Sequence, residues 1–544
     1  MTQANSGSAT ERTPGTGDAS AYAPLRRPIF RALWIASLAS NLGTWLQNVG
    51  AGWLMTSLTP SPLMVALVQA ATTLPVFLLA IPAGALADVI DRRRLLLAAQ
   101  GWMLAAAASV AAVTAAGVVT PWLLLALTFA LGLGFALNAP AWQAVVPEVV
   151  PRAEVPAAVA LNGVSMNASR AVGPALGGVL VAAAGPEAAF LLNALSFLVV
   201  VWVLFRWDRP AAAGALPAER LVGAMRAGVR YVRHAPAFRA VLVRAAAFVS
   251  GAAGLWALLP AVARDHADWG PAAYGVMLGS LGVGAVLGTL LLPAVRRGTS
   301  ADVVAAGGTI LFAACSAGVA LLPILWARCL LLFPAGAAWL AVLTALNSSA
   351  QSLLPAWVRA RALSVYLLVF FGGMAAGSVL WGVVAGPLGV PLALLASAGW
   401  MVVSLTAGLR YRLPAGPLPA VEPSRHWPDA PAVPAAEYER GPVLVTVEYR
   451  VPADSVADFR AAAGLLRGIR LRDGAIRWDL FQDVEDAERF VEVFLVESWV
   501  EHLRQHERLT DEDWAHAAAI RALHAGDHPP RVTHLIAAGP ARTA

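Results

Sequence analysis

Arg170 stands about thirteen residues into an apolar run at 157–184, roughly 20 Å from its start at about 1.5 Å per residue. A cation at that depth is costly in lipid and must face a cavity or a partner. It is either an anchor for an anionic or strongly polar group of a solute, or a structural arginine satisfied by carbonyls and amides of neighbouring runs. Other polar side chains sit inside apolar runs: Asn41, Gln47, Asn138, Asn167, Asn347 and Gln351. As a set they suggest a hydrogen-bonding chamber, while for each alone packing glue between helices is the more frequent use. Trp45, Trp53, Trp142, Trp256, Trp381 and Phe370 are candidate stacking walls, against the commoner use of such aromatics as lipid-facing anchors.

Other chemistries are excluded or left without residues. The chain has no lysine, so no G-x-x-x-x-G-K-[ST] phosphate loop exists and ATP-driven transport by this chain alone is ruled out. Cys315 and Cys329 lie in apolar stretches without CxxC spacing, so no metal, redox centre or other cofactor is expected. No acidic residue falls in the middle of an apolar run. Asp88 and Glu148 lie near run ends, Glu187 at a turn, and Asp265 and Asp268 beyond a run. The residues themselves therefore give no support to a membrane-embedded proton carrier.

Two motifs concern movement and packing. Gly84-Ala-Leu-Ala-Asp88 is followed by Arg92, Arg93 and Arg94. A glycine allows close helix contact. An ionised Asp88 at a helix end can pair with arginines and cap a neighbouring helix. Gly84, Asp88, Arg92 and Arg93 thus form a candidate latch at one mouth of a channel; a plain topology signal is the alternative reading of the arginines. In Ser169–Gly178, the residues Gly173, Gly177 and Gly178 make a groove for another helix, and Pro174 removes a backbone hydrogen bond and bends its own.

The elements that must hold these residues follow from composition. The 544-residue chain is 58% hydrophobic and only 13% charged, against about 25% charged in soluble domains. Mean hydropathy is +0.65. This excludes a nucleic-acid module, a disordered protein and an ordinary cytosolic enzyme. It leaves a polytopic membrane protein with lipid as its solvent. Apolar runs occur at about 33–58, 63–87, 94–117, 121–147, 157–184, 187–206, 238–263, 271–293, 302–323, 327–354, 362–386 and 389–409. Twelve transmembrane helices in two six-helix pseudo-repeats are expected. Asn138 in Ala136-Leu-Asn-Ala matches Asn347 in Ala345-Leu-Asn-Ser, each followed by a proline and an arginine-bearing turn. Arginine is concentrated in alternate loops, which places both termini in the cytoplasm.

The expected organisation is a disordered tail at 1–28, a six-helix bundle at 29–206, a cytoplasmic loop at 207–237, a second bundle at 238–412, a Pro/Ala-rich linker at 413–440 and a soluble domain at 441–538. Within the loop, 218–233 has the spacing of a surface helix with an arginine face. The soluble domain alternates as strand 443–450, helix 455–468, strands 475–482 and 489–498, helix 499–524 and strand 531–536, a βαββαβ ferredoxin-like α+β order. His502 and His506 share one face of the last helix; a solvated face is the commoner use, and no third group completes a site.

Gly84, Leu86, Asp88, Arg92 and Arg93 resemble the loop signature of the major facilitator superfamily; Asp91 departs where the family prefers glycine. Gly173-Pro174-x-x-Gly177-Gly178 resembles the fifth-span signature of its drug/proton antiporters. Phe30–Trp34, Ser40–Gln47 and Trp53–Met55 are similar to the enterobactin-exporter-like, or transmembrane secretion effector, branch. In Trp478–Asp483 and Phe494–Trp499 the tail resembles the antibiotic-biosynthesis-monooxygenase-like dimeric α/β barrel. These resemblances imply export of a siderophore-like or drug-like small molecule through the inner membrane by alternating access, coupled to protons. They imply a lipid bilayer and a small-molecule substrate as partners, and a homodimer through the tail. The rival expectations are an importer of the same fold and a membrane-anchored enzyme or sensor acting through the tail.

Overall fold

The computed structural model describes residues 22–207, 230–265, 269–355, 358–413 and 440–538. Residues 218–229 of the surface helix expected at 218–233 and residues 414–439 of the linker expected at 413–440 lie outside the described residues, as do residues 1–21. Within the stretch read as a disordered tail, Ala23–Arg26 form a 3-10 turn with Pro24 buried.

Among the described residues, eleven helices carry the apolar part: α1 Pro28–Leu58, α2 Pro62–Val89, α3 Arg92–Ala115, α4 Pro121–Val149, α5 Val155–Arg206, α6 Pro236–Arg264, α7 Pro271–Arg296, α8 Ala301–Leu321, α9 Leu325–Ser352, α10 Arg359–Leu388 and α11 Val390–Ser404. A short α12, Ala407–Arg410, follows. Their starts are written locally. Ser61, Asp91, Thr120 and Ser300 are N-caps whose side chains accept from the backbone N–H three residues on. Proline opens α1, α2, α4, α6 and α7, where its missing N–H costs nothing.

Among the described residues, ten segments are long and apolar enough to cross a membrane. One of them spans Arg152–Arg206, 55 residues, which would be about 80 Å long if straight. It is not straight. Gly185 has φ 81° and ψ 165°, a conformation open to glycine, and Pro186 follows it. The two arms of α5 run in opposite directions along α1. Trp34, Asn41, Trp45 and Val49 meet Leu161, Ser165, Gly173 and Gly177 in ascending order. Gly43 and Gly50 meet Asn193 and Phe190 in descending order. The helix α1, 31 residues long, is outside the ten because Asn41, Gln47 and Asn48 lower its hydropathy.

The largest buried apolar cluster is drawn almost wholly from α6–α11. Smaller clusters hold α1–α5 together. Large apolar side chains such as Leu290, Leu291, Trp326 and Val403 point outward. That inversion fits a lipid-solvated surface.

The tail is an α+β unit: β1 Val443–Arg450, α13 Val456–Asp473, β2 Ala475–Gln482, β3 Arg489–Val496, α14 Trp499–Arg508, α15 Asp511–Ala522 and β4 Arg531–Ile536. Its sheet has the order β2-β3-β1-β4 with every neighbour antiparallel. Alternate residues Val443, Val445, Val447 and Tyr449 of β1 are buried under the helices. The single helix expected at 499–524 is two. Leu509 is extended, and Thr510 restarts the chain with a capping box to Asp513.

Candidate functional site

Two antiparallel seams join α1–α5 to α6–α11. In the first, the arm 155–184 of α5 lies against α7. Gly178 meets Gly275, Ala175 meets Gly279, and the backbone of Arg170 meets Gly282. A Cβ on Gly178 would stand 2.7 Å from the Gly275 Cα and 2.8 Å from the Pro271 carbonyl oxygen. The second seam lays α2 on α10: Gly382 faces Leu63 and Ala66, and Gly372 faces Phe77. Small residues on both sides bring the backbones together, the packing that membrane helices use in place of a hydrophobic drive.

The glycine motif of α5 therefore packs two ways. Gly173 and Gly177 receive Trp45 and Val49 of α1, with a Cβ on Gly173 falling 2.6 Å from the Trp45 Cβ. Gly178 serves the seam. Near the Gly185 end the two helix groups are also tied by Arg264, whose guanidinium donates to the Thr59 carbonyl at 2.8 Å.

Arg170 lies at the midpoint of its arm, equidistant in sequence from Val155 and Gly185. It is half-buried. Among the described residues no side chain or carbonyl bonds its guanidinium. Three buried polar atoms of the helices are also without protein partners: Ser169 Oγ, next to Arg170 in sequence, Gln47 Nε2 on α1 and the Trp256 indole Nε1 on α6. Buried polar groups are nearly always satisfied, so each of these atoms marks a place where a polar atom of a solute or a water would be welcome.

The remaining chamber candidates divide. Asn41 donates to Ser165 Oγ at 3.3 Å, and Gln47 accepts from Asn193 at 3.4 Å. Both tie α1 to α5. Asn138 accepts from Gln100 of α3 at 3.0 Å. Its counterpart Asn347 accepts from Gln351 on its own helix at 3.3 Å, and both are exposed. Asn167 is half-buried on α5, one turn before Arg170. The aromatic wall centres on Trp339, which composition did not single out. Trp256, Phe248, Phe312 and Phe370 surround it at centroid distances of 5.5–6.2 Å. Trp381 is instead a strut, donating to the Ser250 carbonyl at 2.7 Å.

At the opposite end from Gly185, Gly84 and Asp88 fall within the last turns of α2, and the surroundings of both lie outside the described part. The cap of α3 is Asp91, whose carboxylate accepts from the Arg94 N–H at 3.0 Å. Arg92 forms an ion pair with Glu148 of α4. Arg93 donates to the Leu204 and Phe205 carbonyls at 2.9 and 2.5 Å, closing the last turn of α5.

The tail meets this same end of the membrane part. Arg230, at the start of the described segment leading to α6, bonds Glu501 of α14 at 3.1 Å. Tyr231 donates to the Leu353 carbonyl after α9 at 3.0 Å, and Arg472 of the tail lies over its ring at 6.0 Å. Burial raises the Glu501 carboxyl, but the hydrogen bonds and charges of Arg508 and Arg230 outweigh it and hold the group below the usual carboxylate range. His502 and His506, expected on a solvated face, are turned inward. Their Nε2 atoms are 3.2 Å apart, and the His534 ring of β4 lies 4.8 Å from His502. Burial, with the charges of His506, His534 and Arg470, pushes His502 down to about 3. Among the described residues no group of His, Cys, Asp or Glu has the geometry to hold a metal.

Comparison with known proteins places the molecule. A family model described as transmembrane secretion effector matches residues 19–543. An uncharacterized MFS-type transporter, YfiS, of Bacillus subtilis (strain 168) is 29% identical over 194 residues, 34% of this chain and 45% of that protein. The staphyloferrin A transporter of Staphylococcus aureus (strain NCTC 8325 / PS 47) is 22% identical over 257 residues, 47% of this chain and 64% of that protein. The chain thus spans between about half and two thirds of the length of these curated relatives. Among solved structures, a bacterial homologue of the human lysosomal transporter Spinster, inward-facing and occupied, superposes with a TM-score of 0.57 at 14% identity, covering 71% of this chain and 97% of that one.

Proposed function

We propose, because the chain belongs to the transmembrane secretion effector family of MFS-type transporters, that it exports small organic molecules, siderophore-like or drug-like, by alternating access. The chain is a multi-pass membrane transporter and not an enzyme. Its substrates are small molecules met within a lipid bilayer.

The observation that carries the export reading is Arg170. An uncompensated guanidinium midway along a seam helix is expensive in a membrane and is relieved when an anionic group of a solute binds it. Chelators built on carboxylates or catecholates have that chemistry. The relative from Staphylococcus aureus is named for one siderophore, staphyloferrin A, which favours the class without naming the ligand.

Twelve crossings follow if α1 is a span and the two arms of α5 count separately. Two six-helix repeats are favoured by matching contacts. The first arm of α5 packs on α1 as α10 packs on α6; α4 packs on α2 as α9 on α7; and α3 touches α4 and the second arm of α5 as α8 touches α9 and α11. Rocking at the two glycine seams would then open each mouth in turn. Gly84, Asp88, Arg92 and Arg93 would latch the cytoplasmic mouth, with both termini on that side of the inner membrane. Proton coupling would run through Asp88 or Glu148, carboxylates close to helix ends, or through the substrate's own ionisation.

The tail is read as regulatory. Its ion pair to Arg230 and the Tyr231–Leu353 bond put it against the connection between α9 and α10. Its uncovered sheet face, with Leu444, Val491, Val493 and Leu495 half-buried, suits a second copy.

Inside-out vesicles bearing the full chain test the proposal. With a panel of labelled anionic chelators and cationic dyes, accumulation that requires an imposed pH gradient supports proton-coupled export. Accumulation only in right-side-out vesicles makes the chain an importer. Export that survives removal of residues 441–544 unaltered in rate removes the tail from regulation.

A further inference from the structure

A groove of about 460 Å³ lies at the base of the second helix group, apart from both seams. The first turn of α6 forms one wall, with Ala237 and Arg239. The segment after α11 forms the other, with Leu409, Arg410 and Arg412. Three arginines line it and no carboxylate does. All three are exposed, and among the described residues none of their guanidinium groups makes a hydrogen bond or ion pair. Asp302, at the start of α8, is already engaged: it pairs with Arg244 at 2.5 Å and accepts from the Leu413 N–H at 3.3 Å. Arg244 also donates to the Tyr411 carbonyl at 3.5 Å. These bonds pin the wall that presents Arg410 and Arg412, and among the described residues no acid offsets the three positive charges of the groove.

The apolar rim shows which phase the groove faces. Leu409, which lines the groove immediately before Arg410, is 76% exposed, and Val402 and Val403 point outward about two turns earlier. The arginines therefore ride at the level where lipid-facing side chains give way to water. Guanidinium groups match phosphate oxygens in bidentate geometry, and basic pockets at membrane helix ends recruit anionic headgroups. A free phosphate offers the same oxygens but has no use for an exposed leucine beside them.

We propose that this groove binds the phosphate headgroup of an anionic phospholipid, held by Arg239, Arg410 and Arg412 with an acyl chain along Leu409. The site bridges the first and last helices of the second group, next to Leu413, where the chain leaves toward the tail. Lipid bound there would fix the angle at which α6 and α11 diverge.

The full chain in detergent, with added phosphatidylglycerol or phosphatidylcholine, is read by native mass spectrometry. The wild type should retain phosphatidylglycerol several-fold more than phosphatidylcholine. Arg239→Gln/Arg410→Gln/Arg412→Gln should lose that preference while eluting as a folded monodisperse protein. If the triple variant does not fold, Arg410→Gln alone, which removes one exposed side chain, should lower retention measurably. Millimolar inorganic phosphate should leave retention unchanged. Equal retention by wild type and variant, equal retention of the two lipids, or displacement by phosphate would each overturn the proposal.

Discussion

Gly178 and Gly275 face each other so closely that a methyl group on either would fall within 2.7 Å of the other's Cα. The contact joins a helix of the first group to a helix of the second, near the Gly185 end. Its neighbours Pro174 and Pro271 contribute carbonyl oxygens to the same contact. Backbone meets backbone here, so no side chain can move aside to admit an added carbon.

Gly178→Ala should wedge this seam. Overpacking a close contact costs about 1–3 kcal/mol, enough to shift a balanced two-state transporter by roughly ten- to a hundred-fold, since about 1.4 kcal/mol is a factor of ten. The conformer closed at the Gly185 end should be depleted. Thr59→Cys, beside the Arg264 tie, should then react faster with an impermeant maleimide applied from that side. An unchanged labelling rate would mean that the seam does not separate during transport.

Arg170→Ala should move stability and activity in opposite directions. An unpaired arginine at a helix centre costs about 2.5–3.5 kcal/mol to insert. Removing it should raise the thermal midpoint while lowering transport of an anionic substrate at least ten-fold. Arg170→Lys keeps the charge but loses the fork, and should retain a small fraction of transport. A fall in thermal midpoint for the alanine variant would identify Arg170 as a structural pillar.

Glu501 is a hub between Arg230 and Arg508, both largely buried. Glu501→Gln removes the carboxylate that Arg230 and Arg508 share, although Arg508 keeps its bond to the Asp473 carbonyl, and should cost about 1.5–3 kcal/mol. Arg230→Gln leaves Glu501 paired to Arg508 and should cost under about 1 kcal/mol. Because the Glu501 carboxyl titrates below its ordinary value, its contribution is present above the unfolded carboxylate range and is lost as pH falls through the folded value. Hydrogen exchange of α14 in the full chain checks the order of the two variants; equal effects would mean that Arg230 is the dominant partner.

What the sequence made legible tracks how local the physics is. Caps, prolines and apolar length are written over a few residues, so the ends of α2, α4 and α8 and the break at Gly185–Pro186 could be placed in advance. The glycines of 173–178 were recognisable as packing surface, but not that they serve two different helices, because that depends on partners a hundred residues away. Asp91 looked like a departure from a turn glycine; it is the N-cap of α3, a role its side chain performs within three residues. Trp339 was invisible because its importance comes from four aromatic neighbours on three helices. His502 and His506 were misread for the same reason: helical spacing places them on one face but cannot say that β4 brings His534 against it. The split of α14 from α15 was readable from Thr510-x-x-Asp513, a capping box inside an apparently continuous pattern.

The three tail histidines carry the last prediction. Burial is the first cause that lowers His502 to about 3 and His506 to about 4, and it lowers His534 too. The surrounding charges are Arg470, bonded to Glu492 at 3.1 Å, and the histidines themselves. In the unfolded chain each would bind its proton near about 6.5. Between that value and the folded ones the unfolded state holds more protons, so tail stability must fall as pH drops from about 6.5. The slope per histidine approaches about 1.4 kcal/mol per pH unit once the unfolded form is protonated. Asp473, raised by burial against the pull of Arg472, works in the opposite sense, so the comparison with His506→Gln isolates the histidine share. Amide exchange across β1 in the full chain, corrected for intrinsic rates between pH 7.5 and 5, should show protection lost on acidification and a shallower loss in the variant. A wild-type profile flat across that window would mean that the cluster is open to water and already protonates as free histidine does.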